Sequence, residues 1–222
     1  MAISRRKFFY LCAAILAALV YWLWPGASGR LANLPPTATG PWIAFGDSLT
    51  EGYGATAGAD YPSQLSKLLS IPIRNLGVAG ETSGDGLKRI MEVEALSPRV
   101  VLLCFGGNDV LQSLPREQMF ANISAMIDRL QARGSFVVLV GIRGTGLVGD
   151  RNAEGFKKLA AEKKVKHVPN ILDGLLSEPK FMSDYVHPND AGYGQIAVRL
   201  ESELQPLLGK LSPVDEAANP PQ

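Results

Sequence analysis

The feature that most constrains the fold of this chain is a pair of nearly uninterrupted apolar runs, "VVLLCF" at Val100–Phe105 and "FVVLVGI" at Phe136–Ile142. Short runs of this kind are typical of β-strands that are buried on both faces. Other short apolar segments are strand candidates at Trp42–Phe45, Ile73–Leu76 and His167–Val168. Because a strand with two buried faces needs a cover on each side, the sequence predicts a sheet between two layers of helices.

The segments between these runs have the spacing of amphipathic helices. In Glu117–Ala132, apolar residues recur on one helical face, and Gly134 follows as a stop signal. Strands that alternate with helices pair in parallel through crossover connections. The sequence therefore predicts a three-layer α/β/α sandwich of about five parallel strands. The predicted helices are Tyr61–Leu69, Gly84–Leu96, Glu117–Ala132, Asn152–Lys164 and Ala191–Leu208.

Residues 1–29 have the pattern of a signal peptide or membrane anchor. The basic residues Arg5–Lys7 precede an uncharged apolar segment, Phe8–Trp24. The length of that segment favours an uncleaved anchor, and the small residues Ala27–Gly29 offer a cleavage site as the alternative. In both cases the rest of the chain is exported, which predicts a periplasmic protein tethered to the inner membrane or, after cleavage, a secreted one.

Composition and charge define the remaining organisation. Residues 25–40 are rich in proline, glycine and small polar residues, and residues 30–40 are predicted to be a linker. Residues 211–222 are predicted to be a disordered tail, which leaves residues 41–210 as one folded domain. The net charge is +1, and no basic patch follows the N-terminal segment, so nucleic-acid binding has no electrostatic support. With two cysteines, Cys12 and Cys104, and two histidines, neither a disulfide framework nor a metal site is expected.

Polar residues and glycines gather where the predicted strands end. Gly46–Ser48 follows the first strand, Gly77–Gly80 the second and Gly106–Asp109 the third, while Asp184–His187 precedes the last helix. Parallel strands end at one edge of the sheet, and open α/β sheets bind their ligands at that edge. Taken singly, each feature has a structural explanation, such as a helix cap at Ser48 or a tight turn. Taken together, they predict a site that contains a serine, a histidine and an acid.

These residue types are the components of nucleophilic acyl transfer. A serine hydroxyl is a weak nucleophile until a base removes its proton, and His187 is the candidate base for Ser48. Asp184, three positions before His187, can orient the imidazole and stabilise its charged form. Attack on a carbonyl also creates an oxyanion, which needs hydrogen-bond donors that are already in place. The candidate donors are the backbone N–H groups of Ser48 and Gly80 and the side-chain amide of Asn108.

Four motifs that occur in this order resemble the four blocks of the SGNH (GDSL) hydrolases: "GDSLTEGYG", the single glycine Gly80 within "NLGVAGET", "GGND" and "DYVHP". They are most similar to the bacterial arylesterase, thioesterase I and lysophospholipase group. The resemblance implies a flavodoxin-like α/β/α fold and an enzyme that needs no metal or cofactor. It also implies that Ser48 is the nucleophile, His187 the base and Asp184 its orienting acid, that Ser48, Gly80 and Asn108 form the oxyanion hole, and that Asp47 is a structural acid beside the nucleophile.

The resemblance implies a serine esterase that hydrolyses carboxylic esters through an acyl-enzyme, with thioesters as further candidate substrates. Small acyl esters or lysophospholipids are the expected substrates. One alternative is an esterase that removes O-acetyl groups from peptidoglycan or polysaccharide. A second alternative, from another class, is a non-catalytic binding module on the same fold. The sequence leaves the oligomeric state open.

Two segments beside the predicted oxyanion hole bear on the substrate. Val110, Leu111 and Leu114 are candidates for an acyl-chain groove, with the alternative that they seal the next helix onto the sheet. The glycine-rich segment Ile142–Asp150 follows the fourth predicted strand and is predicted to form a mobile loop over the site.

Overall fold

A computed structural model of the chain describes residues 30–142 and 151–212. The predicted anchor at residues 8–24, most of the predicted loop after the fourth strand and most of the predicted tail lie outside these residues. Within the described ranges, every helix is too short or too polar to cross a bilayer.

The described residues form a five-stranded parallel sheet in the order β2-β1-β3-β4-β5. The predicted α/β fold with about five parallel strands is therefore confirmed. The predicted strands differ from the observed ones by one or two residues at their ends; β1, for example, begins at Gly40, and β4 ends before Gly141. The strands are β1 (Gly40–Gly46), β2 (Ile73–Gly77), β3 (Pro98–Cys104), β4 (Phe136–Val140) and β5 (Lys166–Val168).

Helices connect the strands, and short helical turns lie at the strand ends. The helices are α1 (Ser48–Glu51), α2 (Tyr61–Leu69), α3 (Ser83–Glu94), α4 (Gly107–Leu111), α5 (Arg116–Ala132), α6 (Arg151–Lys163), α7 (Asp190–Leu204) and α8 (Leu208–Leu211). The prediction of one helix over Ala191–Leu208 was wrong at its end. Helix α7 stops at Leu204 and a 3₁₀ turn follows at Gln205–Leu207, because Pro206 has no N–H to continue the α-helical hydrogen bonds.

The two faces of the sheet are buried under different helices. Along β1, Trp42 and Ala44 point to one face, while Ile43 and Phe45 point to the other, as the twofold repeat of a strand requires. The first face packs against residues of α2 and α7, such as Tyr61 and Tyr193, and the second packs against α3, α5 and α6. The sheet is thus the middle layer of three, as its apolar runs predicted.

Buried arginine Arg99 joins the two ends of the described domain at the start of β3. Its Nε donates to the Leu211 carbonyl at 2.5 Å, Nη2 to the Ser212 carbonyl at 2.8 Å and Nη1 to the Ala38 carbonyl at 3.2 Å. All three acceptors are main-chain oxygens, so the planar guanidinium fork satisfies carbonyl groups at the end of α8 and ahead of β1.

Part of the predicted linker packs against the domain. The Asn33 side-chain amide donates to the Gln131 and Ser135 carbonyls at 2.8 and 2.9 Å. Both acceptors flank the end of α5, where Gly134 has a φ of +80°. The residues before β1 are therefore held at the amino edge of the sheet, opposite the edge at which the polar motifs lie.

Candidate active site

The turn after β1 presents Ser48 at the carboxyl edge of the sheet. Asp47 caps α1, and its Oδ1 accepts a hydrogen bond from the Leu49 N–H at 3.1 Å. The alternative that Ser48 is itself the helix cap is therefore wrong, and its hydroxyl is left for other partners. A Cβ at Gly46 would lie 2.2 Å from Thr50 Oγ1 and 2.4 Å from the Cys104 carbonyl oxygen, so only glycine fits at the start of this turn.

Ser48, His187 and Asp184 form a hydrogen-bonded series. His187 Nε2 lies 3.0 Å from Ser48 Oγ, and His187 Nδ1 lies 2.8 Å from Asp184 Oδ2. The other oxygen of Asp184 accepts the Val186 and His187 N–H groups at 2.8 and 2.7 Å. Desolvation raises the pKa of Asp184, but these hydrogen bonds outweigh it and hold the pKa below its usual range. The geometry is that of a nucleophile, a base and an orienting acid.

The predicted oxyanion donors lie on neighbouring connections of the sheet. Gly80, with a φ of +82°, follows β2, whose end Gly77 pairs with Gly46 of β1. Asn108 follows β3, and its Nδ2 donates to the Glu81 carbonyl at 2.8 Å, which leaves the second amide proton for another acceptor. Among the described residues, the N–H groups of Ser48 and Gly80 have no protein acceptor.

A mainly apolar pocket that is open to solvent adjoins the serine. Ser48, Asn108 and His187 contribute to its polar side, while Gly80 lies outside its lining. Val110 and Leu111 line the pocket as predicted, whereas Leu114 does not. The side chains of Val110 and Leu111 are exposed, so they do not pack the next helix against the sheet, which was the alternative. The other apolar lining residues are Leu49, Met119, Ile142, Phe156, Leu172, Leu176 and Val186.

Contacts that the sequence did not predict hold the serine loop against the histidine loop. The Asp190 carboxylate accepts the Thr56 N–H and hydroxyl, each at 2.7 Å. The Tyr193 hydroxyl donates to the Tyr53 carbonyl at 2.8 Å, and the Tyr53 ring lies 4.6 Å from the His187 ring. Thr56 and Asp190 are 134 positions apart, so no local pattern indicates that they meet.

Asp109, the last residue of "GGND", is a second buried acid that the sequence did not single out. Its two oxygens accept the Ser83 N–H at 2.8 Å and the Ser83 hydroxyl at 2.6 Å. These bonds tie the turn after β3 to the first residue of α3. Asn122 of α5 adds a donor to the same hydroxyl at 3.1 Å. Asp109 thereby braces the turn that carries Asn108.

Comparison with known proteins identifies the family to which this arrangement belongs. Residues 44–195 match the GDSL-like lipase/acylhydrolase family, a span that contains all four motifs. The chain belongs to this family. The resemblance to SGNH (GDSL) hydrolases is thus confirmed, and so is the expectation of a carboxylic ester hydrolase.

Individual relatives cover most of the domain. The chain is 30% identical to an arylesterase of Vibrio mimicus over 173 residues, which are 73% of this chain and 86% of the relative. It is 30% identical to the thioesterase 1/protease 1/lysophospholipase L1 of Escherichia coli (strain K12) over 174 residues, 75% of this chain and 84% of that one. The structure of AlinE4, an SGNH-hydrolase family esterase, is 31% identical, with a TM-score of 0.59, and the match covers 80% of this chain and 100% of AlinE4.

Asp47, the acid of the GDSL motif, lies buried beneath the serine turn. Its burial raises the pKa to about 7, the Leu49 N–H lowers it, and the nearby Asp109 raises it further. An aspartate in an unfolded chain titrates near pH 4, so between about pH 4 and pH 7 the folded chain holds a proton that the unfolded chain has lost. The stability that Asp47 contributes is therefore complete below pH 4 and is lost as the pH rises through 7.

We predict that Asp47→Asn removes this pH dependence, because the neutral amide can still accept the Leu49 N–H. As the pH rises from 4 to 8, the free energy of unfolding of the wild type should fall by roughly 2–4 kcal/mol relative to that of the variant. Urea denaturation across this pH range measures the difference, with the exposed Asp173→Asn as the surface control. Parallel pH profiles for the wild type and Asp47→Asn would contradict the prediction.

Proposed function

We propose that this GDSL-family hydrolase is a serine esterase in which Ser48 is the nucleophile, His187 the base and Asp184 the orienting acid. The observation that carries the proposal is the series of contacts from Ser48 Oγ to His187 Nε2, at 3.0 Å, and from His187 Nδ1 to Asp184 Oδ2, at 2.8 Å, at the mouth of an apolar pocket. When Nδ1–H donates to Asp184, Nε2 is free to accept the serine proton.

The reaction proceeds through an acyl-enzyme. Ser48 Oγ forms a bond to the carbonyl carbon while His187 Nε2 takes its proton, and the resulting oxyanion accepts hydrogen bonds from Ser48 N–H, Gly80 N–H and the Asn108 amide. His187 then protonates the leaving alcohol as the ester bond breaks. In the second half, His187 deprotonates a water that attacks the acyl carbon, and the proton returns to Ser48 Oγ.

The apolar lining supports acyl chains longer than acetyl as substrates. Beside the serine, the pocket is lined by exposed apolar side chains at its mouth, such as Leu111, and by buried ones such as Met119 and Phe156 farther in. A linear acyl chain matches such a lining through the burial of its methylene groups. Names of relatives that include arylesterase and lysophospholipase support the same class. Lysophospholipids and other membrane-derived acyl esters are therefore the proposed substrates.

Replacement of the serine tests the mechanism. Ser48→Ala should reduce kcat on a short p-nitrophenyl ester by at least about 10⁴-fold, because the acyl-enzyme can no longer form. A fluorophosphonate probe should label the wild type and Ser202→Ala, a control on the outer part of α7, but not Ser48→Ala. Correctly folded Ser48→Ala with undiminished turnover would refute the assignment. An unlabelled, inactive wild type would instead favour the non-catalytic binding module.

A charge in the pocket wall tests the substrate class. Leu111 is 66% exposed, so Leu111→Asp should fold normally while placing a carboxylate beside the acyl chain. For Leu111→Asp we expect kcat/KM on p-nitrophenyl octanoate to fall by about 10- to 100-fold, and kcat/KM on p-nitrophenyl acetate to change little. Leu68→Asp, a change at a 51% exposed leucine on α2, is the matched control.

The chain-length profile of the wild type completes this test. Activity that is greater on hexanoyl to dodecanoyl esters than on acetyl esters agrees with the acyl pocket. Activity that peaks sharply at acetyl, with no effect of Leu111→Asp, would favour the O-acetyl carbohydrate esterase instead.

We also propose that the enzyme is exported and tethered to the inner membrane. The support is the basic Arg5–Lys7 followed by the uncharged segment Phe8–Trp24. In a Gram-negative host, the full-length enzyme should sediment with the membranes and become accessible to protease once the outer membrane is opened. A soluble periplasmic product that begins near residue 30 would support the cleaved alternative, and cytosolic enzyme would contradict export.

A further inference from the structure

Gly80, in the loop after β2, has a left-handed backbone conformation that no packing contact at its Cα holds in place. A Cβ placed on Gly80 would have no atom within 4 Å, and the residue has a φ of +82°. Glycine without neighbours has many accessible backbone conformations. A donor that stabilises an oxyanion acts best when its direction is set in advance, so other groups must set the direction of the Gly80 N–H.

The residue after Gly80 is held by Arg89, which lies in α3. Arg89 Nε donates to both carboxylate oxygens of Glu81, at 2.8 and 2.7 Å. The two side chains are only 14% and 16% exposed, so this ion pair is shielded from water and from counterions. Both carboxylate oxygens are therefore engaged by one fixed group.

The same guanidinium also contacts the ends of the two strands beside the site. Arg89 Nη2 donates to the Leu76 carbonyl of β2 at 2.9 Å and approaches the Gly46 carbonyl of β1 at 3.4 Å. Its centre lies 4.4 Å from the centroid of the Phe45 ring, which fixes the guanidinium plane from one side. Arg89 thus holds the Glu81 carboxylate at a fixed position beside β1, the strand that ends immediately before Asp47 and Ser48.

Two further contacts hold the main chain on either side of Gly80. The Glu51 carboxylate of α1 accepts the Ala79 N–H, and the Asn108 amide donates to the Glu81 carbonyl. With the Glu81–Arg89 pair, these contacts hold both neighbours of Gly80 while leaving its own N–H without a protein acceptor among the described residues. Neither Glu81 nor Arg89 lines the pocket.

We propose that Glu81 and Arg89 are positioning residues that direct the Gly80 N–H into the oxyanion hole. This inference rests on the proposed serine esterase mechanism, because it assumes that an oxyanion forms beside Ser48. The ion pair acts on the reaction through Gly80 and touches no reacting atom. Its loss should therefore weaken the binding of the transition state and leave the binding of the ground-state ester unchanged.

A second arginine–glutamate pair offers a matched control. Arg129 of α5 donates to both oxygens of Glu94 in α3, each at 2.6 Å, and Glu94 is buried. This pair joins two helices and makes none of the contacts to the Gly80 loop or the strand ends. If arginine–glutamate pairs in this fold act only through stability, Arg89→Met and Arg129→Met should have the same effect on turnover.

The experiment compares Arg89→Met, Arg89→Lys, Glu81→Gln and Arg129→Met on p-nitrophenyl butyrate, at a temperature where circular dichroism shows each protein folded. For Arg89→Met we expect kcat to fall by about 10- to 100-fold with KM nearly unchanged. Arg89→Lys should lose less of its kcat than Arg89→Met, because lysine keeps the positive charge. It should still fall below the wild type, because lysine lacks the planar fork. Glu81→Gln, which is isosteric, gives the same test if Arg89→Met does not fold, and Arg129→Met should keep kcat within about twofold.

A spectroscopic readout separates positioning from stability. In the wild type, a phosphonate adduct on Ser48 should shift the Gly80 amide proton strongly downfield in NMR spectra, as its N–H binds the phosphonyl oxygen. Arg89→Met should lose most of this shift, whereas Arg129→Met should keep it. Folded Arg89→Met and Glu81→Gln with wild-type kcat and an unchanged shift would overturn the inference. Full turnover by Ser48→Ala would overturn the esterase mechanism itself, which is a distinguishable result.

Discussion

β1, β3 and β4 are covered by helices on both faces, and this burial determines where chemistry can occur in the molecule. An unpartnered polar side chain within these strands would have to be desolvated, so polar groups concentrate where the strands end. Because the strands are parallel and in register, Gly46 lies beside Gly77 and Cys104. The three connections that follow carry Ser48, Gly80 and Asn108, which brings them to one edge of the sheet.

Local patterns carried enough information to predict much of this arrangement. Continuous apolar runs identified β3 and β4, and polar motifs at strand ends and before the last helix led to Ser48, Asn108 and His187, which the structure brings to one pocket. The spacing of Asp184 and His187 sufficed because both lie in one short loop, where three residues cover the distance that one hydrogen bond needs. The end of α7 was placed too late because the apolar spacing continues past Pro206, although the proline marks where the α-helical hydrogen bonds stop.

The supporting contacts could not be predicted, because each depends on segments that meet only in the folded chain. Nothing near Thr56 indicates that Asp190 will accept its hydrogen bonds. Glu81 and Arg89 look like ordinary surface charges on either side of a helix start, yet their pair lies largely buried behind the Gly80 turn. The four motifs contain the residues that are proposed to react, whereas the residues that hold them in place are visible only in the packing of the folded chain.

The distance along the chain between Ser48 and His187 of the proposed triad has a consequence for biosynthesis. Ser48 and His187 are 139 positions apart, and the loop that carries His187 is held in place partly by α7, near the end of the domain. A ribosome must therefore complete almost the entire domain before the site exists. A partly synthesised or unfolded chain therefore lacks the serine–histidine contact, which forms only when α7, the last long helix, docks onto the sheet.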